Sequence, residues 1–299
     1  MLLSPDVHIR SRAATLPRLM RLATTFFVVA TALLVTTLSG SAEAMDRLLI
    51  GLLPGESAPE IIRQNEALRT YLERELGMPV ELFVGTDYAA TGEAIRFGRV
   101  DIAYLGPVTY VLQSRKADLE PFARPEHEHG STFKALIIAP AGSATNLDDL
   151  RGKQIAFGDP ASTSGHWVPR HMLLGEELVA ARDYQPVYLG SHDAVAKAVE
   201  RGNAAAGGIS EPIFRRLVSE GKIDGSKVEV VGVSEDIPEY SWVFRPGFDP
   251  ALKEKVRQAF LSITDPVVLK TTKAVRYIPS SNSDYDIVRS WIDDIERYD

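Results

Sequence analysis

A chain of 299 residues, 45 % hydrophobic and 24 % charged, is large enough to fold around one big or two medium cores and is neither a disordered tail nor a fibre. Its 33 Lys and Arg against 40 Asp and Glu give a net charge of -7 with no extended basic run, which argues against nucleic acid as a partner. The absence of cysteine excludes disulfides, thiolate nucleophiles, Cys-ligated zinc and iron–sulfur clusters, and says nothing of the compartment.

The first element gives that address. Arg10, Arg12, Arg18 and Arg21 precede an uncharged stretch from Leu22 to Ala42, whose apolar heart is Phe26 to Val35. The small-residue run Gly40-Ser41-Ala42-Glu43-Ala44 follows, so the segment reads as a secretory signal cleaved after Ala44. Thr24, Thr25, Thr31, Thr36 and Thr37 make a retained membrane anchor the weaker reading. Cleavage removes four Arg and two acids, leaving a mature chain of net charge -9. With no later apolar run of spanning length, that mature chain is expected to be free of the membrane, in the periplasm of a two-membrane cell.

From Leu48 onward, apolar runs alternate with helical patterns. Strands are expected at Leu48 to Leu53, Val80 to Val84 and Val100 to Leu105, with helices at Pro59 to Leu76, which Gly77 stops, and at Thr91 to Phe97. A second series follows the apolar segment Thr132 to Ala139. Its strands are Gln154 to Phe157, Pro186 to Leu189 and Ala204 to Ile209, and its helices Gly165 to Leu178 and Asp193 to Arg201. Strands at Val228 to Val233 and Trp242 to Arg245 precede a mostly helical tail from Pro250 to Tyr298. Strand and helix alternating in two series predict an α/β protein of two lobes, each a mainly parallel sheet with helices on both faces. The division expected is a signal at 1–44, the first part of lobe 1 at 45–139, lobe 2 at 140–234, and a return to lobe 1 with C-terminal helices at 235–299.

In open α/β sheets ligands sit beyond the carboxyl ends of the strands, which directs attention to the loops there. Gly158-Asp159-Pro160-Ala161-Ser162-Thr163-Ser164-Gly165 stands between a strand and a helix. Backbone N–H groups at a helix start, the positive dipole end and three consecutive hydroxyls make an anion site, and helix capping accounts for only one of the hydroxyls. No Gly-Lys-Ser/Thr follows, so it is not a nucleotide phosphate loop. A serine hydrolase with Ser164 as nucleophile, His166 or His192 as base and Asp159 as orienter stays open, although Gly-x-Ser-x-Gly is absent. His192, in Gly190-Ser191-His192-Asp193, lies at the next strand end, where even a neutral imidazole has one N–H to give. Tyr88, read as a loop residue, and Tyr104, at a strand end, offer an aromatic wall with phenolic donors, with core packing the rival for Tyr104. Glu126-His127-Glu128-His129 is read as a solvated loop rather than a metal site, since no third ligand is in view.

Asp87-Tyr88-Ala89, the run from Arg96 to Pro107, Leu147-Asp148-Asp149-Leu150-Arg151-Gly152-Lys153, Asp159 to Gly165 and Gly190 to Asp193 together resemble the phosphonate-binding family of periplasmic substrate-binding proteins. These are the solute receptors of phosphate, phosphite and phosphonate ABC transporters, and the resemblance spans roughly Leu48 to Phe248. It implies a type II periplasmic binding fold, two α/β lobes joined by a hinge and closing over ligand. It also implies that Ser162, Thr163 and Ser164 hold the phosphorus oxygens, with Tyr88 and His192 helping. Where family members often carry a Tyr after the first lobe's loop, this chain has Phe133. The later family pattern Ile-Pro-x-x-Pro loses its final Pro in Ile237-Pro238-Glu239-Tyr240-Ser241, a segment whose Tyr240 is also expected among the ligand-binding residues. Glu211 and Glu239 are the carboxylates an amine-bearing ligand would need. The expectation is a monomeric receptor that takes a small phosphorus anion to an inner-membrane ABC permease with its ATPase, without cofactor, metal or catalysis. A sensory receptor docking on a membrane kinase or chemoreceptor, and the same fold binding another small organic anion, are the alternatives.

Overall fold

The computed structural model describes residues 46–298; the expected signal and its cleavage point after Ala44 lie outside the described residues. β1 (Leu48–Leu52) leads to α1 (Ala58–Leu76), which has Pro59 in its first turn and ends on Gly77 at φ 67°, where a side chain would be strained. After β2 (Val80–Val84) comes α2 (Tyr88–Arg96), three residues earlier than expected because Asp87 caps it, accepting the Ala90 N–H at 2.6 Å. β3 (Ile102–Leu105) runs into α3 (Pro107–Ser114), whose opening Gly106-Pro107 reads as a turn but suits a helix start equally well. β4 (Glu120–Glu126) carries Pro121 and Pro125, which hide it from a pattern search; the register against its neighbour shifts between Trp242 and Val243, where such a strand is tolerated.

The chain then forms β5 (Thr132–Phe133), β6 (Ala135–Pro140) and β7 (Gln154–Phe157). A wide π-type turn, Thr163–Trp167, opens α4 (Val168–Gly175), and β8 (Gln185–Tyr188), α5 (His192–Glu200), β9 (Ala206–Ser210) and α6 (Glu211–Ser219) follow. β10 (Val228–Val233), β11 (Ile237–Pro238) and β12 (Ser241–Phe244) precede α7 (Pro250–Leu261), α8 (Pro266–Thr272), β13 (Arg276–Pro279) and α9 (Asp286–Glu296).

Two sheets result, of order β13-β4-β12-β3-β1-β2 and β10-β6-β9-β7-β8. In each, the βαβ part is parallel: β2-β1-β3 in the first, β8-β7-β9 in the second. β12 and β6, which the chain reaches from the other sheet, pair antiparallel with both neighbours, as β13 does with β4. The chain changes sheet between β4 and β6, before Ala135 rather than after Ala139, and returns between β10 and β12. Both faces of the second sheet are covered, as alternation along β6 makes plain. Leu136 and Ile138 join Val195 and Leu217 on one side, while Ile137 and Ala139 join Leu150 and Leu173 on the other. Val168 of α4 shares a cluster with Val108 of α3 and Trp291 of α9, so helices of the two halves are packed together. Among the described residues no helix is long and apolar enough to cross a membrane.

Candidate functional site

The segment after β7 is held from within. Asp159 accepts the Ala161 N–H on Oδ1 (2.7 Å), the Ser162 N–H reaches the Asp159 carbonyl (2.9 Å), and Ser162 Oγ caps the turn by accepting the Gly165 N–H (3.1 Å). Gly165 is required by close approach, since a Cβ there would stand 2.8 Å from Ser162 Oγ and 3.0 Å from His192 Cε1. Ser162, Thr163 and Ser164 are at most 1 % exposed. Ser162 and Thr163 have structural partners, the latter accepting the Val108 N–H at 3.0 Å. The Ser164 Oγ has none among the described residues.

His192 opens α5 and is equally buried, which pushes its imidazole down to about 4 and keeps the ring neutral. Its Nδ1 faces the Ser210 N–H at 3.3 Å and therefore accepts, so the single ring proton sits on Nε2. That Nε2–H has no partner among the described residues. Tyr88, expected in a loop, is instead the first residue of α2 and 2 % exposed; burial pushes its phenol up to about 12. A Cβ on Gly55 would meet the Tyr88 hydroxyl at 2.9 Å and His192 Cδ2 at 3.7 Å, so tyrosine, histidine and serine loop converge on one point.

Bonds between the two halves close over that point. Tyr88 N–H donates to Asp159 Oδ2 (3.0 Å), Thr109 Oγ1 to the Ala161 carbonyl (3.0 Å) and His192 N–H to the Gly55 carbonyl (3.1 Å). The Arg216 guanidinium of α6 pairs with Glu56. Beside the closure lies a cavity of about 700 Å³, bounded by Gly55, Tyr88, Tyr104, Phe133, Glu239, Tyr240 and Trp242 and, further out, by α1, α6 and α8. Tyr88 borders the cavity and, through its N–H bond to Asp159, the serine loop, which does not itself line the cavity.

A description of the periplasmic substrate-binding proteins of phosphonate ABC transporters matches residues 50–285. The chain belongs to that family. The phosphate-import protein PhnD of Mycolicibacterium smegmatis is 25 % identical over 280 residues, which are 85 % of this chain and 86 % of that protein. A binding-protein component of an ABC phosphonate transporter from Pseudomonas aeruginosa superposes with TM-score 0.78 at 23 % identity, covering 84 % of this chain and 87 % of that one. PhnD1 of Prochlorococcus marinus, solved in complex with methylphosphonate, gives 0.75 at 17 % identity over 84 % of this chain and 99 % of the other. The fold is that of the type II periplasmic binding proteins.

Within this phosphonate-binding family member, the expected residues fall into two groups and an outlier. Tyr88, Ser162, Thr163, Ser164 and His192 meet at the closure. Tyr104, Phe133 and Tyr240 form the cavity wall, with Tyr240 5.3 Å from Tyr104 and 5.7 Å from Phe133 between ring centroids. Glu211 does not reach the cavity: its carboxylate is drawn back onto Arg215, one turn along α6 and 75 % exposed. Glu239 does line it. Sequence reasoning missed Trp242, stacked on Tyr104 at 4.8 Å with an indole N–H that has no partner among the described residues, and the Glu56–Arg216 pair. An apolar strand segment gives no sign of which ring borders a cavity, and a pair 160 residues apart gives no local sign at all.

The hydrolase arrangement is not assembled. Ser164 Oγ touches no base, both Asp159 oxygens take backbone N–H groups, and His166 Nδ1 faces the Pro160 carbonyl at 2.7 Å. His127 is engaged by protein groups on both sides of its ring, with Nε2 3.3 Å from Glu239 and Nδ1 2.7 Å from the Lys273 carbonyl.

Proposed function

We propose that the exported chain captures a small phosphorus oxyanion, a phosphonate, phosphite or phosphate, and delivers it unchanged to an inner-membrane ABC permease with its ATPase. The observation that carries this reading is the pair of buried, unpartnered donors, Ser164 Oγ–H and His192 Nε2–H, gathered with Tyr88 where the two halves close. An unpartnered buried donor costs about 1–3 kcal/mol, a cost an anion removes when it accepts from both. Neutral donors suffice because closure takes the anion out of water, where each hydrogen bond is stronger. The protein's own negative charge is screened beyond roughly 10 Å and does not oppose this local field.

Family membership and the names of the relatives, a phosphate-import protein and a receptor solved with methylphosphonate, support the ligand class. The ligand is passed on unchanged, a reading supported by membership in a family of substrate-binding proteins. The protein acts in the periplasm after cleavage behind Ala44, as the order of arginines, apolar stretch and Ala-x-Ala supports. Thermal unfolding of refolded, ligand-stripped protein tests the reading against phosphate, phosphite, methylphosphonate, sulfate and a carboxylate. A ligand at 100 times its Kd adds about 2.7 kcal/mol. An upward shift with a phosphorus anion and none with sulfate is expected; no shift with any of them sinks the reading.

A further inference from the structure

We infer that the receptor selects a phosphonate whose organic group is bulky and uncharged, over inorganic or methyl-substituted anions and over amines; this rests on the serine loop being the headgroup site. The first support is space. The cavity begins at Gly55 and Tyr88, beside the serine loop, and its volume of about 700 Å³ belongs to the range of roughly 300–1,000 Å³ that holds drug-sized ligands. The bonds between the halves are in place with that cavity still present, so they do not require it to be filled. The cavity also runs outward between α1 and α8 to Arg63, whose side chain is 68 % exposed, which leaves length for a substituent that extends from the sealed headgroup.

The second support is the chemistry of the wall. Next to the headgroup it is aromatic: Tyr104, Trp242, Tyr240 and Phe133 present ring surface. The carboxylates there are already engaged. Glu239 accepts the Tyr240 N–H on Oε1 (2.8 Å), and Nε2 of His127 faces its Oε2. The Nδ1 of that imidazole donates to the Lys273 carbonyl, and the Glu239 carboxylate at Nε2 raises the ring above its usual range, which favours the cation that offsets the Glu239 charge. Glu56 is paired with Arg216 and Glu60 with Arg63. An ammonium group therefore finds no unengaged carboxylate among these three, whereas an aromatic ring finds rings to pack on.

Calorimetric titration of the ligand-stripped protein with methylphosphonate, benzylphosphonate and 2-aminoethylphosphonate tests this. Benzylphosphonate is expected to bind at least about tenfold more tightly than methylphosphonate, the gain that burying a phenyl ring warrants, and 2-aminoethylphosphonate no better than methylphosphonate. Ile61→Trp, a half-buried position of α1 on the outer cavity wall, should erase the benzyl preference and leave methylphosphonate binding within about twofold. Methylphosphonate binding as well as benzylphosphonate, 2-aminoethylphosphonate binding most tightly, or Ile61→Trp weakening both ligands alike overturns the inference while leaving the headgroup site standing. Binding of none of the three overturns the headgroup reading itself, and this inference with it.

Discussion

The serine loop and the aromatic cavity adjoin at Tyr88 and are built on opposite principles. The loop is small and polar, its three hydroxyl residues are buried and its conformation is fixed by its own bonds, which leave the Ser164 hydroxyl unpartnered, as is the Nε2–H of His192. The cavity is large and lined by rings, and the carboxylates nearest its ring wall are already paired. A contiguous motif can hold a ligand's invariant part, because one strand-to-helix turn presents its donors in a fixed array. The cavity wall, in contrast, is assembled from side chains of several strands.

The largest effect expected from this contrast is a pH dependence. Burial holds His192 at about 4 in the folded state, against about 6.5 for an unperturbed imidazole. Between those values the unfolded chain binds a proton that the folded one refuses, so stability rises with pH across that window and is lost as pH falls from 6.5 toward 4. At full extent the effect is about 3 kcal/mol. Carboxylates also titrate at the lower end, so the measurement is denaturant unfolding at pH 7 and pH 5 of the wild type and of His192→Gln. The wild type should lose more; equal losses would place a freely titrating His192 at the site.

Ser164→Ala comes next. A lost hydrogen bond to a charged group costs about 1.5–3 kcal/mol, so phosphonate affinity should fall about 10- to 150-fold. The unliganded protein should be no less stable, because the hydroxyl removed has no partner there. Ser162→Ala should behave in the opposite way and lose about 1 kcal/mol of stability with its cap. Thermal unfolding of both variants beside calorimetry separates the two roles; a destabilised Ser164→Ala would give that hydroxyl a structural duty.

How far each region can be read in the sequence follows the same division. The places of Ser162-Thr163-Ser164 and His192, each between a strand and a helix, were legible because strand ends and helix starts are local patterns. Tyr88 was placed at the site for the wrong local reason: Asp87 is a capping residue, so the helix begins at Tyr88, and burial rather than exposure directs its hydroxyl. Glu211 was misplaced because its side-chain direction depends on Arg215 one turn on. In the fold, β4 and α3 were hidden by Pro121, Pro125 and Pro107, residues whose local preference tertiary pairing overrides or which serve a helix start as readily as a turn. The cavity was only partly legible, since Trp242 and the Glu56–Arg216 pair owe their positions to sheet order and to closure of the two halves.

The smallest effect belongs to the residue shared by both regions. The Tyr88 phenol is already buried against Gly55 in the unliganded protein, so Tyr88→Phe perturbs the unliganded and the liganded protein alike. Much of the loss then cancels in the affinity. A net cost of about 1 kcal/mol, near fivefold in Kd, is expected from calorimetry, together with a lower unfolding temperature of the unliganded protein that Ser164→Ala does not show. The order of the two variants is the informative quantity. If Tyr88→Phe weakens phosphonate binding more than Ser164→Ala does, the phenol rather than the unpartnered serine is the principal donor, and the headgroup then sits on the cavity side of Tyr88 instead of in the serine loop.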